Sequence, residues 1–363
     1  MPHPEPVFVF LYTELAGYIR NCMEHLAASG AEVHVVSFPV NPEAPFDFDT
    51  RGAQCNYLRR NDFDEKSLLE YVRRLRPNAV VCSGWIDRTY VRTCAALRRS
   101  GVRTVLALDN PYPRTARGKA GLLRAKLLYK SSFDAAWVPG DPQVRYARAL
   151  GFSAGAVYRG FYAADTERFA RFAERRPADA DAERFLYFGR YLDFKGIDDL
   201  WEAYGRLGKT DWELWCAGTG ARFETRPEMP GLRHFGFVQP DDLDTFVADG
   251  GVFVMPGRRE PWGVALQEFA AAGLPLIATT AVGAATAFLQ EGINGITVPP
   301  GNPTALHSAM KAMTEKTPEE RRAMGRISYR EALKVNKETW VRTALEIAGP
   351  RAPQIEATKP TER

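Results

Sequence analysis

Glu260 and Glu268 stand eight residues apart in EPWGVALQEFAAAGLPLIAT, residues 260–279. The pattern predicts a helix starting near Trp262 or Gly263, with Glu260 in the loop before it and Glu268 about one and a half turns inside. Two carboxylates at the mouth of an apolar, Ala-rich helix can accept hydrogen bonds from sugar or ribose hydroxyls. The free N–H groups and dipole of that helix start, from Trp262 through Gly263 to Val264, favour an anion such as a diphosphate. Taken alone, Glu260 is equally a favourable charge before a helix and Glu268 a surface residue.

A second set of reactive types lies upstream. LYFGRYLDFKG (186–196) leaves an apolar strand, turns at Gly189 and places Arg190 and Lys195 before a helix. A guanidinium with paired donors and an ammonium point charge make an anion site at a strand's carboxyl end; the same residues also describe a solvated loop. LWCAGTG (214–220) is a strand running into Gly218–Thr219–Gly220, which serves either a tight turn or a close approach to a ligand. RHFGFV (233–238) ends a strand with Phe237 and Val238, where a ring and backbone groups can hold a nucleobase or pack a core.

The elements that must position these residues follow one rhythm. Short β-branched runs alternate with helical patterns in both halves, which predicts two doubly wound α/β domains with parallel sheets. Strands are expected at 7–11, 32–38, 79–82, 103–108, 135–138 and 155–158, then at 184–188, 213–217, 231–235, 252–255, 276–279 and 295–298. Helices are expected at 14–28, 65–75 and 88–100, then at 196–207, 240–248, 264–272 and 304–314. The polar, Arg- and Asp-rich stretch 161–185 reads as a hinge or linker. Past about Thr317 the pattern is continuously helical, and Trp340, Ala344 and Ile347 predict a last helix packed on a preformed surface. The division is therefore 1–168, 169–335, a crossover helix 336–349 and a disordered tail 350–363. Open sheets of this kind bind ligands beyond their carboxyl ends, so two facing sheets hold one ligand in the cleft between them.

The 363 residues suffice for two such cores. No apolar run reaches the roughly 18–20 residues of a membrane span. The start MPHPEPVFVFLY lacks a basic region before its apolar stretch and reads as a first strand, not a secretion signal. Five scattered cysteines form no C-x-x-C pair, which fits a reducing cytosol better than a disulfide framework or zinc site. His25 and His34 sit in apolar-periodic contexts and read as packing or surface residues. A net charge of +4 does not argue for nucleic acid.

Together these pieces resemble the GT-B retaining glycosyltransferases of family 4. The match covers most of the second half in order: G-R-x4-K from Gly189 to Lys195, the G-x-G turn, FGFV, and E-x7-E from Glu260 to Glu268 followed by AAGLPLIAT. In the first half LAASGAEVHVVSF and YRGFYAADTERF (158–169), with Asp165, resemble the family more loosely. The resemblance implies that Arg190 and Lys195 bind a donor diphosphate, that Glu260 contacts the donor sugar, and that Glu268 holds the ribose. Gly17, Gly189, Gly218, Phe237, Val238, Pro261, Trp262, Gly263 and Val264 would complete the donor site, with Trp262 beside the sugar. It implies no cofactor beyond the nucleotide-sugar co-substrate, no essential metal, and a front-face mechanism without a protein nucleophile. The acceptor would be a glycan, glycolipid or small molecule. A GT-B epimerase or phosphorylase and a non-catalytic nucleotide-sugar-binding protein share the architecture. An epimerase would need acid/base groups not seen near the cation loop, and a phosphorylase a cofactor lysine signature that is absent.

The sequence departs from the family in the first half. A Gly-Gly pair after the first strand is here Ala16–Gly17, and a histidine after the fourth strand is replaced in LALDNPYPRT (106–115) by Asp109 and Asn110. One of these two is expected to take the acceptor-side polar role. Four D-x-D triplets, at 47–49, 62–64, 179–181 and 242–244, read as chance in acidic stretches and not as metal ligands. RTARGKAGLLRAKLLYK (114–130) carries six basic residues and no acidic one. Its Leu122, Leu123, Leu127 and Leu128 could share one side of a helix lying on an anionic membrane surface, which would place the protein at the inner face of the membrane. An ordinary packed helix with a basic outer face explains the stretch as well.

Overall fold

The computed structural model describes residues 5–39, 52–113, 115–176, 182–239, 242–248 and 250–349. Two parallel sheets carry the molecule. The first half runs β1 (Val7–Tyr12), α1 (Gly17–Ala28), β2 (Glu32–Ser37), β3 (Asn56–Arg59), α2 (Glu65–Leu75), β4 (Ala79–Ser83), α3 (Arg88–Arg99), β5 (Arg103–Ala107), α4 (Ala116–Tyr129), β6 (Ala135–Trp137), α5 (Asp141–Leu150) and β7 (Val157–Tyr158). Next come α6 (Thr166–Arg175), β8 (Arg184–Phe188), α7 (Ile197–Gly205), β9 (Glu213–Ala217), β10 (Leu232–Gly236), α8 (Leu243–Val247), β11 (Val252–Met255), α9 (Val264–Ala271), β12 (Leu276–Thr279), α10 (Ala285–Phe288) and β13 (Gly295–Val298). Three helices close the chain: α11 (Pro303–Thr314), α12 (Pro318–Ala332) and α13 (Lys337–Ala348).

The sheet orders are β3-β2-β1-β4-β5-β6-β7 and β10-β9-β8-β11-β12-β13. Every pair is parallel; Phe8, for example, stands opposite Val33 on one side and Ala79 on the other. Both faces of each sheet are covered by helices, so β1 is buried along all six residues and reads VFVFLY without polar alternation. In both sheets the order reverses beside the first strand, at β1/β4 and at β8/β11, and the loops there open toward a common cleft.

Five segments differ from the sequence expectation. The stretch taken as linker contains α6, capped by Asp165, whose Phe169 lies in the core of the second domain. Its burial of one narrow apolar stripe, against a polar majority, hid it. The helix Asp141–Leu150 and the edge strand Asn56–Arg59 were not expected, and the 155–158 strand is confined to Val157–Tyr158. The segment after Thr317 breaks into two capped helices, α12 and α13. The last of these packs on the first domain: Trp340 donates its indole N–H to Phe161 O (2.8 Å) and lies against Trp137 and Phe10, with Val341, Ala344 and Ile347 in the same core. The 47–49 and 179–181 triplets and the 350–363 tail lie outside the described residues.

Candidate functional site

β8 ends at Phe188, and the chain turns through Gly189 and Arg190 into a single 3₁₀ turn, Asp193–Lys195, before α7. The turn is tight because the neighbouring loop presses on it. Gly218 has φ 139°, and a Cβ there would collide with the Gly189 carbonyl oxygen, so only glycine fits. The two loops are tied by Gly189 N to Ala217 O (3.0 Å) and Tyr191 N to Thr219 O (2.8 Å).

The loop after β11 closes on the same turn. Arg258 N and Arg259 N both donate to Phe194 O (2.9 and 3.1 Å), and Arg258 makes a bidentate pair with buried Asp199 on α7 (2.8 and 2.6 Å). Lys195 Nζ is thereby brought into an ion pair with Glu260 Oε2, both largely buried. Gly263 caps α9 at φ 93°, and a Cβ there would approach Glu260 Cγ to 2.9 Å. The helix starts at Val264 with no side-chain cap and no acidic residue in its first turn; Leu266 N turns back to the Gly263 carbonyl (3.0 Å), and the earlier N–H groups stay open to an anion. Opposite it, α1 starts at Gly17 behind Ala16, equally without a side-chain cap or a first-turn acid.

These groups surround one cavity of about 1100 Å³ between the domains. Gly17, Asp109, Gly189, Arg190, Lys195, Gly218, Phe237, Val238, Glu260, Trp262, Gly263, Val264 and Glu268 all line it. Two expected residues do not. Asn110 lines a second cavity of about 1140 Å³ within the first domain. Pro261 turns its carbonyl to Gln143 instead (2.6 Å). Trp262 lines the cavity but is only 2% exposed, its ring packed edge-to-face on Phe288 and against Gly140. The two cavities share Glu14, Ala16, Tyr18, Asp109 and Tyr162.

Burial pushes the Glu268 carboxyl up to about 7; the Asp165 charge adds to the shift and Arg168 works against it. Burial also raises Asp109 above the usual carboxylate range, opposed by a hydrogen bond from the Tyr162 hydroxyl (3.4 Å) and reinforced by the charge on Glu260. Tyr18, Tyr162, Arg168 and Gln143 were not singled out from the sequence: the first three line the cavity by long-range packing, and Gln143 is buried against Asp109 and Pro261. Asp165, noted in the sequence, lines the cavity and is the N-cap of α6. Asp242 of the last D-x-D triplet does line the interdomain cavity, and Asp62 lines the other one. Among the described residues no group of three or more His, Cys, Asp or Glu side chains is placed to hold a metal ion. His34 is buried between Tyr71 and Glu32 (2.7 Å each). Among the described residues no helix is long and apolar enough to cross a membrane.

The arrangement can do one thing well: hold a multiply charged anion between two helix starts, an arginine and a lysine, with carboxylates at either end to accept hydroxyl hydrogens. Comparison with known proteins agrees with it. Residues 182–316 match the family described as Glycosyl transferases group 1. An uncharacterized glycosyltransferase of Methanocaldococcus jannaschii is 31% identical over 134 residues, 35% of this chain and 34% of that one. The chain thus matches about a third of the length of such curated relatives. Over nearly the whole chain the fold is shared with sucrose-phosphate synthase of Thermosynechococcus elongatus (TM-score 0.70, 19% identity, 94% of this chain and 97% of that one). It is shared also with Anabaena HepE in complex with UDP and glucose (TM-score 0.69, 13% identity, 93% and 98%). The fold is GT-B, two facing parallel α/β domains.

Proposed function

We propose that this chain is a retaining glycosyltransferase of family 4 that moves a sugar from a UDP-, GDP- or ADP-linked donor to a hydroxyl of a glycan, glycolipid or small molecule. The observation that carries the reading is convergence: Arg190 and Lys195 from the β8–α7 loop, Glu260 from the β11–α9 loop, and Glu268 and the uncapped start of α9 all reach one interdomain cavity. Glu268 accepts the ribose hydroxyls and Glu260 those of the donor sugar. Arg190, Lys195 and the α9 amides neutralise the leaving diphosphate without a metal. The bond from the sugar carbon to the phosphate oxygen breaks as the acceptor oxygen bonds on the same face, and the departing phosphate takes the acceptor's proton. Preorganised charge of this kind is typically worth about 3 kcal/mol per donor group. Asp109 and Asn110 line the adjoining cavity and serve the acceptor.

A thermal-shift screen against UDP, GDP, ADP and TDP, each with and without chelator, tests the reading. One base should stabilise the protein, by about 2.7 kcal/mol at a hundredfold excess over its dissociation constant, and chelator should not abolish the shift. Stabilisation by none of the four would remove the proposal. Stabilisation that vanishes in chelator would remove its metal-independent part.

One surface favours a lipid-linked acceptor. On α4, Leu122 and Ala125 are buried, whereas Leu123, Leu127 and Leu128 are 58%, 74% and 51% exposed among the exposed cations Arg117, Lys119, Arg124 and Lys126. The leucines therefore split between core and surface instead of sharing one side. Exposed leucines amid exposed positive charge fit the surface of an anionic bilayer.

A further inference from the structure

The turn that carries Glu260 is finished by the other domain. Three successive carbonyls follow: Glu260 O accepts from Gly283 N (3.1 Å) and Trp262 O from Ala284 N (2.9 Å), both within the second domain. The middle one, Pro261 O, accepts from Gln143 Nε2 (2.6 Å) at the start of α5 in the first domain. The same amide nitrogen donates to the Asp109 carbonyl (3.1 Å). Gln143 is fully buried, and among the described residues its Oε1 has no hydrogen-bond partner, so its polar contacts are the two donated by Nε2. Beside it, Gly140 caps α5 directly against the Trp262 ring, where a Cβ would come within 2.5 Å of Cη2. Separating the domains would leave Pro261 O without the donor it has here, and a backbone acceptor that loses its partner in a buried setting is costly.

We infer that Gln143 is a positioning residue that couples the seating of Glu260 to closure of the cleft: one buried amide fixes the backbone of Asp109 on the acceptor side and of Pro261 on the donor side. Domain closure completes the anchoring of the turn that carries Glu260. The inference rests on the transferase reading above, but its first test does not depend on that reading.

Hydrogen exchange of the Gly283, Ala284 and Leu266 amides, which donate to the carbonyls of Glu260, Trp262 and Gly263, is compared in the wild type and in Gln143→Met, which keeps length and loses both donors. Faster exchange there, with α7 and β8 unchanged, is expected. Unchanged exchange would overturn the inference. Turnover is then read as hydrolysis of UDP-glucose, GDP-mannose or ADP-glucose, water replacing the acceptor. A misplacement of about 1 Å costs on the order of 10²-fold, so Gln143→Met should lose that much in kcat, with less than about threefold change in affinity for the cognate nucleoside diphosphate. Equal losses in both, tracking a fall in Tm, would assign Gln143 a merely structural role. Should Gln143→Met not fold, Gly140→Ala takes its place: it pushes on Trp262 from the same side and is expected to give the same kcat-selective loss, with unaltered kcat the overturning result. A wild type that binds no nucleotide would sink the transferase reading while leaving the exchange result standing.

Discussion

Lys195 and Glu260, 65 residues apart in sequence, meet as an ion pair across two loops that the Phe194 carbonyl stitches together. In the transferase reading, the pair holds a lysine with a flexible stem at the proposed diphosphate site before any phosphate arrives. Its ammonium is already desolvated and aimed, so less ordering is left for the moment of binding.

The pair also predicts an asymmetry. Lys195→Met removes a cation from the diphosphate, whereas Glu260→Gln removes an anion that competes for that cation. Both should lower kcat by about 10²–10³-fold. Lys195→Met should weaken binding of the nucleoside diphosphate, and Glu260→Gln should leave it unchanged or tighter. The double variant should cost little more in kcat than the worse single one, because the two act as a unit. Titration calorimetry with the diphosphate alongside steady-state turnover measures this. Equal weakening by both variants would show that Glu260 does not face the sugar.

What the sequence disclosed was local. E-x7-E places Glu260 in the loop before a helix start and Glu268 inside the helix, and Gly218 marks a strand end that needs glycine. The alternation of strand and helix likewise gives both sheets. Contacts between segments far apart left no trace in pattern. Gln143 is an ordinary glutamine at a helix start, 118 residues from Pro261. The helix that carries it opens Gly140–Asp141–Pro142, which reads as turn chemistry, although Pro in the first turn and Gly151 in the left-handed cap are also helix signals. Gly140 likewise leaves room for the Trp262 ring from the other domain, and burial of that large apolar surface decides where it goes.

The α4 surface makes a separate prediction. The full chain should sediment at low salt with vesicles of mixed phosphatidylglycerol and phosphatidylcholine, and not with phosphatidylcholine alone. At about 1 kcal/mol for each basic residue near such a surface, a variant with Lys119, Arg124 and Lys126 neutralised should partition on the order of 10²-fold less. Leu127→Ser should weaken binding without altering its salt dependence, since it removes only apolar contact. Identical retention of wild type and neutralised protein would show that α4 is simply a packed helix with a basic outer face.

Glu268 makes binding depend on pH in a direction that can be worked out. Its carboxyl, raised to about 7 by burial beside Asp165, is about half protonated in the free protein at neutral pH. Two ribose hydroxyls donating to it require the carboxylate, so nucleotide binding must lower its pKa and release a proton. Affinity should therefore rise as pH climbs toward and through 7, then level off; one unit below 7 it should be about tenfold weaker than the plateau. Without ligand the sign is opposite. The folded protein binds this proton more tightly than the unfolded chain, so the contribution of Glu268 to stability is full below the usual carboxylate range and is lost as pH rises through 7. Glu268→Gln should flatten both slopes and bind nucleotide weakly at every pH. Calorimetry in two buffers of different ionisation enthalpy counts the proton directly. Proton uptake on binding, or a pH-independent affinity in the wild type, would mean that Glu268 meets the ribose as a neutral acid or does not meet it at all.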